Sequence, residues 1–238
     1  MSSLLSKIKK NSYFPDVSQA DRYGVLAIGG DTNPELLLNA YYNGIFPWPH
    51  PDIDDLPWFA PAKRGVLFFE NFRGRSRIER YIRTNNFKFS FNTKFTEVMR
   101  ECASEINREI KDTWINQQML DGYTKLHEVG FAHSLEVYKN TDLVGGVYGI
   151  SIGTMFAAES MFFRESNASK AALLVLIDYL AIQGATWIDC QQLTKHLKTL
   201  GGIEISRKEF MKILKESVNQ DNMVINSKNL PANLKLDE

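Results

Sequence analysis

The 238-residue sequence predicts an α+β fold, in which a small N-terminal domain precedes a larger one with a mostly antiparallel sheet and packed helices. Three observations carry this reading. Three β-rich stretches separated by tight turns, "AHSLEVYK", "LVGGVYGISI" and "TMFAAESMFF", follow one another as a meander. The next stretch, "ASKAALLVLIDYLAIQG", has the length of a helix and is apolar almost all round, so it belongs in a core. The first quarter, by contrast, is punctuated by Gly and Pro.

Along the chain, the first clear element is a helix in "GGDTNPELLLNAYYNG". Thr32 and Glu35 have capping-box spacing, Pro34 suits the first turn, and Gly44 ends the helix. The aromatic segment "FPWPHPDIDDLPWFAP" is too rich in proline to be helical and reads as turns, which sets a boundary near Pro61. Residues 1–61 are therefore expected to form the small domain and 62–217 the larger one, with 218–238 a polar, loosely ordered tail. Beyond Pro61, "RGVLFF" and "FKFSFN" read as strands. "QQMLDGYTKLHEVG" has helical spacing and a glycine C-cap. After the meander and the apolar helix come a strand, "TWIDCQ", and a helix in "SRKEFMKILKES" that opens with the capping box Ser206 and Glu209. Meander, buried helix, strand and further helix: this order resembles the N-acetyltransferase (GNAT) type of acyltransferase fold.

Composition excludes several classes of function. Equal numbers of acidic and basic residues give a formal charge of zero, so a nucleic acid or membrane would have to be held by a local patch. Cys102 and Cys190 form no CxxC, and the four histidines have no metal-ligand spacing, so neither a disulfide framework nor a zinc site is expected. "MSSLLSKIKK" lacks a signal-peptide core, and "AALLVLI" is far too short to span a bilayer. A soluble cytoplasmic protein, monomeric and without membrane contact, is the expectation.

Polar groups inside apolar strands are where chemistry could sit. A carboxylate among aromatics costs several kcal/mol, as an order of magnitude, unless it is paired or hydrogen-bonded. Strand alternation puts Asp189 and Gln191 on one face of "WIDCQ" and Cys190 on the other. It likewise puts Glu159, Met161 and Phe163 on one face of the preceding strand. If these strands are neighbours, Glu159, Asp189 and Gln191 could share an apolar-walled recess; solvated groups at a strand end are the commoner meaning of such a pattern. Cys190 reads as a buried hydrophobe turned away from that recess, and His133 and His196 as structural hydrogen-bonders. "FRGRSRIERYIR" gathers Arg73, Arg75, Arg77, Arg80 and Arg83 against a single acid, Glu79. That excess suits a phosphate backbone, although an exposed helix face is equally consistent. Trp48, between two prolines, and Trp114, after the charged, helix-like "ASEINREIKD", could serve as stacking platforms for a base, although tryptophan is more often core.

Longer strings are more specific. "YGVLAIGGDTNPELLLNAYYNGIFPW", "HSLEVY…LVGGVYGISIGTMFAAESMFFRESNASKAAL" and "IDCQ…HLKTLGGIEISRKEF", in this order from about Phe14 to Phe210, resemble the leucyl/phenylalanyl-tRNA–protein transferase family. The resemblance implies a small N-terminal domain, a GNAT-like catalytic domain, and transfer of Leu, Phe or Met from aminoacyl-tRNA to proteins with N-terminal Arg or Lys, marking them for degradation. It assigns Asp189 and Gln191 to catalysis and Glu159 to the same site. It places Trp48 and Trp114 on either side of the terminal adenosine of the tRNA, and it makes Val147, Phe156 and Leu173 walls of the donor side-chain pocket. The segment holding Arg75, Arg77 and Arg80 differs in detail from the family's basic stretch but keeps its positive charge, so these three are expected to contact the tRNA backbone. The chain departs from the family in having Ala158 where glycine is usual and Phe163 where serine is usual, both beside the pocket.

The implied reaction is aminolysis of an already activated ester, so no cofactor and no metal is expected. Asp189, acting through Gln191, would draw on the attacking amine; in the rival reading ribose hydroxyls carry the proton and the two side chains only orient. Two alternatives of other kinds are an acyl-CoA N-acetyltransferase and a non-catalytic tRNA-binding module. "RESNASK" lacks the glycines of a pyrophosphate loop, which counts against the first. Asp189 and Gln191 would be superfluous in the second.

Overall fold

Helical spacing and strand alternation leave little freedom in how the long central elements assemble. In the computed structural model, which describes residues 2–9, 12–104 and 113–236, they build two sheets. The chain begins with α1 (Ser2–Ile8), β1 (Val25–Ile28), α2 (Pro34–Tyr42), β2 (Phe46–Pro47) and β3 (Pro57–Phe59). Strands β1, β3 and β2 pair antiparallel as a small sheet, so the proline-rich segment expected to be turns contains two strands. Its prolines sit where the ladder tolerates them, Pro57 at the first residue of its strand and Pro47 on an edge strand.

The cap of α2 also differs from expectation. Asn33, not Thr32, accepts the orphan N–H of Leu36 (2.9 Å), and Pro34 occupies the first turn. Thr32 instead donates its hydroxyl to the carbonyl of Gln118 (2.9 Å), tying the small sheet's helix to the larger unit.

The larger sheet has seven strands: β4 (Lys63–Phe68), β5 (Phe87–Phe91), β6 (Ala132–Lys139), β7 (Asp142–Ile152), β8 (Met155–Phe163), β9 (Trp187–Gln191) and β10 (Ile203–Ser206). Their order is β10-β4-β9-β8-β7-β6-β5, antiparallel throughout except between β8 and β9. The helices are α3 (Arg75–Asn85), α4 (Phe95–Ala103), α5 (Gln117–Glu128), α6 (Ala168–Ile182), α7 (Lys195–Thr199) and α8 (Arg207–Val218). The α+β class and the antiparallel-dominated sheet are as the sequence predicts. Residues 105–112, most of the charged run before Trp114, lie outside the described residues.

Both faces of this sheet are covered. One core joins α2, α4, α5 and α8 to the sheet through Leu37, Val98, Tyr123 and Phe210. The other joins α3 and α6 through Ile78, Ile82, Leu173 and Leu176. Helix α6 buries eleven of its fifteen residues because it lies between the sheet, α3 and the C-terminal segment, which explains its lack of a polar face. The capping box of α8 is present, with Ser206 and Glu209 bonding reciprocally.

The C-terminal segment corrects the expectation of a loose tail. Met223, Ile225 and Leu230 are buried against α6, and the Tyr179 hydroxyl donates to the carbonyls of Val224 (2.8 Å) and Asn226 (3.0 Å). Farther along, Phe89 of β5 donates to Leu234 (2.8 Å) and accepts from Leu236 (3.0 Å). No helix of the described residues is long and apolar enough to cross a membrane.

His133 sets an acid limit to stability. It is buried beside Asn92 (3.2 Å), and burial, with a further push from the nearby His127, lowers its pKa from 6.5 to about 4. The unfolded chain therefore binds a proton that the folded chain refuses between those values, and this contribution to stability is lost as pH falls from about 6.5 to 4. The shift corresponds to about 3 kcal/mol as an order of magnitude. Urea unfolding between pH 7 and pH 4 is expected to lose stability less steeply in His133→Gln than in wild type; parallel curves would show that another group sets the acid limit.

Candidate active site

The site forms where the sheet splits. Strands β8 and β9 pair at one position, Ala157 with Asp189, and then diverge. Between them opens a cavity of about 300 Å³ whose walls come from β2, β7, β8, β9, α6, α7 and the segment before α5.

Two β-bulges decide which side chains face this opening. On β8 the register passes from Ala158 opposite Gly149 to Ser160 opposite Tyr148, leaving Glu159 as an extra residue. On β9 it passes from Asp189 opposite Val66 to Gln191 opposite Gly65, leaving Cys190 extra. A bulge breaks the two-residue period and re-aims its side chain. Gln191 is also turned into the left-handed region at φ 52°, which is uncommon outside glycine. The outcome brings two of the three expected polar groups together: Gln191 Nε2 donates to Glu159 Oε1 at 2.8 Å.

Glu159 is held from its other side by tyrosines. The Tyr123 hydroxyl donates to Oε2 at 3.2 Å, and the Tyr41 and Tyr123 hydroxyls share a hydrogen bond behind it. Burial raises the Glu159 pKa to about 8, and the charge of nearby Asp189 adds to the rise; the tyrosine hydrogen bonds and Arg64 oppose it. At neutral pH this carboxyl holds a proton.

Asp189 occupies a different place from the one expected. It is 1% exposed and lies behind the cavity wall. Its Oδ1 accepts from Arg64 Nε (2.8 Å) and from the Gln191 backbone N–H (2.9 Å), and its Oδ2 accepts from Arg64 Nη2 (2.7 Å). Asp189 and Gln191 therefore do not face the cavity together; Asp189 reaches it through the backbone of Gln191. Cys190, expected to turn away, borders the cavity instead. Its thiol is still inert, because burial raises its pKa well above the usual range.

The remaining expected residues divide. Trp48, Trp114, Val147 and Leu173 line the cavity together with Glu159 and Gln191. Phe156 does not; it is fully buried in the same core as Val147 and Leu173, its ring packed over Gly149. Phe163 does not either. It lies at the end of β8, opposite Gly145 and 40% exposed, one full pleat beyond the lining residue Met161. Phenylalanine at this position is therefore not part of the cavity wall. Arg75 pairs with Asp178 (2.8 Å) and with Glu79 (3.7 Å), whereas Arg77, Arg80 and Arg83 project from the exposed face of α3.

Several lining residues were not singled out by the sequence, among them Phe46, Pro47 and Thr194, and His196, read as a structural hydrogen-bonder, lines the cavity as well. Arg64 is the larger omission. Its signal was available: an arginine inside the apolar strand "RGVLFF" must find a buried acid.

A split sheet, an apolar recess and a converging Gln–Glu pair suit an acyltransferase. The model of the leucyl/phenylalanyl-tRNA protein transferase family matches residues 66–215, and that of its N-terminal domain matches residues 30–62. Relatives bearing the name leucyl/phenylalanyl-tRNA–protein transferase include one from Hydrogenovibrio crunogenus, 44% identical over 83% of this chain and 77% of that one. Another, from Flavobacterium johnsoniae, is 45% identical over 87% of this chain and 97% of that one. The chain belongs to this family of aminoacyltransferases. Among solved structures, an aminoglycoside acetyltransferase from an uncultured soil sample, in complex with trehalose, aligns with a TM-score of 0.37 and 13% identity, over 60% of this chain and 95% of that one.

Proposed function

We propose that this protein transfers leucine, phenylalanine or methionine from aminoacyl-tRNA to an N-terminal arginine or lysine of an acceptor protein in the cytoplasm, marking the product for degradation. The observation that carries the reading is the Gln191–Glu159 contact at the mouth of an apolar recess flanked by two tryptophans. The recess takes the donor side chain against Val147, Met161 and Leu173. Trp48 and Trp114 hold the terminal adenosine between them. Arg77 and Arg80, exposed on α3, contact the tRNA backbone, while Arg75 is already neutralised by Asp178 and Glu79.

The chemistry follows from what each group has left to offer. With Nε2 given to Glu159, Gln191 presents Oε1, an acceptor suited to an N–H of the attacking α-amine. The amine nitrogen adds to the ester carbonyl, the bond to the ribose oxygen breaks, and the proton lost by the amine ends on that oxygen. Because Asp189 lies behind Gln191, it orients and does not take the proton. Holding amine and ester in line can supply roughly 7–11 kcal/mol in favourable cases.

Glu159 meets the positive side chain of the acceptor, which demands a carboxylate and not a carboxylic acid. Binding must then expel the proton that Glu159 holds below about pH 8. The KM for an N-terminal-Arg peptide is expected to fall as pH rises from 6 to 8, by up to about tenfold per unit, beyond the change in Glu159→Gln. The amine's own titration is common to both enzymes and cancels in this comparison. Identical pH profiles would remove Glu159 from acceptor binding. The reading as a whole is tested by incubating the protein and an Arg-peptide with leucyl-tRNA or with acetyl-CoA. Modification from acetyl-CoA and not from leucyl-tRNA would overturn it.

A further inference from the structure

A guanidinium in a protein core is tolerated when its donors meet acceptors and its faces meet something polarisable. Arg64, 2% exposed, satisfies both conditions. Nε and Nη2 form a fork on the two oxygens of Asp189, and Nη1 donates to the carbonyl of Gly44 at 3.1 Å. Its flat faces lie against aromatic rings, Cζ standing 4.5 Å from the centroid of Phe46 and 4.5 Å from that of Phe210.

The elements that meet at this side chain bring together both walls of the site. Gly44 and Phe46 belong to the short segment that ends in Trp48. Asp189 fixes the N–H of Gln191 (2.9 Å), a residue whose left-handed backbone stands only while its surroundings hold it. The residue after Arg64 reinforces this. At Gly65, β4 passes so close to the turn after Gln191 that a Cβ would lie 2.6 Å from the nitrogen of Leu193 and 2.7 Å from the carbonyl carbon of Gln192. Arg64 and Gly65 thus clamp one turn, by charge from one side and by close packing from the other.

We infer that Arg64 is a positioning residue for the transfer reaction: through Asp189 it holds Gln191 turned toward Glu159, and through Gly44 and Phe46 it holds the Trp48 wall against the same point. This deepens the function proposed above and rests on it. Arginine is required because three donors in one plane must reach two partners while both faces stay stacked; the ammonium of lysine carries the charge but not the fork.

The test is single-turnover transfer from leucyl-tRNA to an Arg-peptide, both saturating, by Arg64→Lys, Gln191→Ala and the double variant, with folding followed by circular dichroism. A displaced catalytic group can cost about 10²-fold, and a drop of that order is expected for Arg64→Lys. Because Arg64 acts through Gln191, the losses are not expected to multiply: the double variant should be no more than about twofold slower than Gln191→Ala, as for residues that act as a unit. A role confined to general stability would multiply the losses. A wild-type rate in folded Arg64→Lys, or multiplied losses, would overturn the inference. Should Arg64→Lys fail to fold, Asp189→Asn, which keeps the shape of the side chain, is carried through the same cycle with the same expectation. If Gln191→Ala itself transfers at the wild-type rate, the reading of the site fails; if only the Arg64 and Asp189 variants do, the positioning role alone fails.

Discussion

Gln191→Ala is expected to lower single-turnover transfer at saturating aminoacyl-tRNA by about 10²–10³-fold, the range found when one preorganised polar partner of a reacting group is removed. The loss should lie in the rate and not in the donor KM, because the proposed function sets Gln191 against the reacting amine and not against the adenosine. Glu159 would lose its 2.8 Å partner in the same variant. Its tyrosine contact would remain, so the fold is expected to survive. Cys190→Ala supplies the contrast. That residue borders the same cavity, yet its thiol is buried and protonated, so little change in rate is expected. Loss of transfer in Cys190→Ala with retention in Gln191→Ala would require a covalent thioester route and would end the aminolysis mechanism.

The two tryptophans give the second large effect, and it falls on binding. Trp48→Ala and Trp114→Ala are each expected to raise the donor KM by about 5- to 150-fold, since stacking is worth roughly 1–3 kcal/mol per base. Trp48 should be the more costly of the two. Its backbone N–H is held by the carbonyl of Pro57 (3.0 Å), and its ring meets Phe59 edge-on at 5.5 Å and Phe46 at 6.5 Å. A ring fixed in this way loses little entropy when a base settles on it. Steady-state kinetics with leucyl-tRNA, with the rate at saturation unchanged, is the check. An unchanged KM in both variants would take the adenosine away from this wall.

How much of this was legible in the sequence depended on whether a residue's surroundings were local. Elements with a strong period and their own end signals, such as α5, α6 and the meander β6–β8, lie within a residue or two of where the pattern puts them. Strands β1, β2 and β3 were not legible because each has no more than four residues and is held by partners distant in the chain. Within the site, the residue types were readable, and so was the meeting of Glu159 with Gln191; the directions of Asp189 and Cys190 were not. Alternation is a rule for regular strands, and both chemical strands are bulged at the decisive residue, Glu159 on one and Cys190 on the other. For that reason Asp189 and Cys190 exchanged their expected places with respect to the cavity. The pairing of Arg64 with Asp189 spans 125 residues, a separation at which no local pattern speaks. Phe156 followed the family position, but its ring fills the space above Gly149 and is not part of the wall.

The C-terminal segment has a consequence for how the molecule behaves in a crowded solution. Strand β5 ends the seven-stranded sheet, and the outward N–H and C=O groups of an end strand are a template for another chain. Here those of Phe89 and Phe91 are occupied. Phe89 is bonded on both sides by Leu234 and Leu236, and the hydroxyl of Ser227 accepts from the N–H of Phe91 (2.7 Å) and donates to its carbonyl (3.2 Å). The segment thus serves as a sacrificial neighbour that denies the edge to a second molecule. With it displaced, "FKFSF" would present three phenylalanines and an open ladder, the combination from which intermolecular sheets grow.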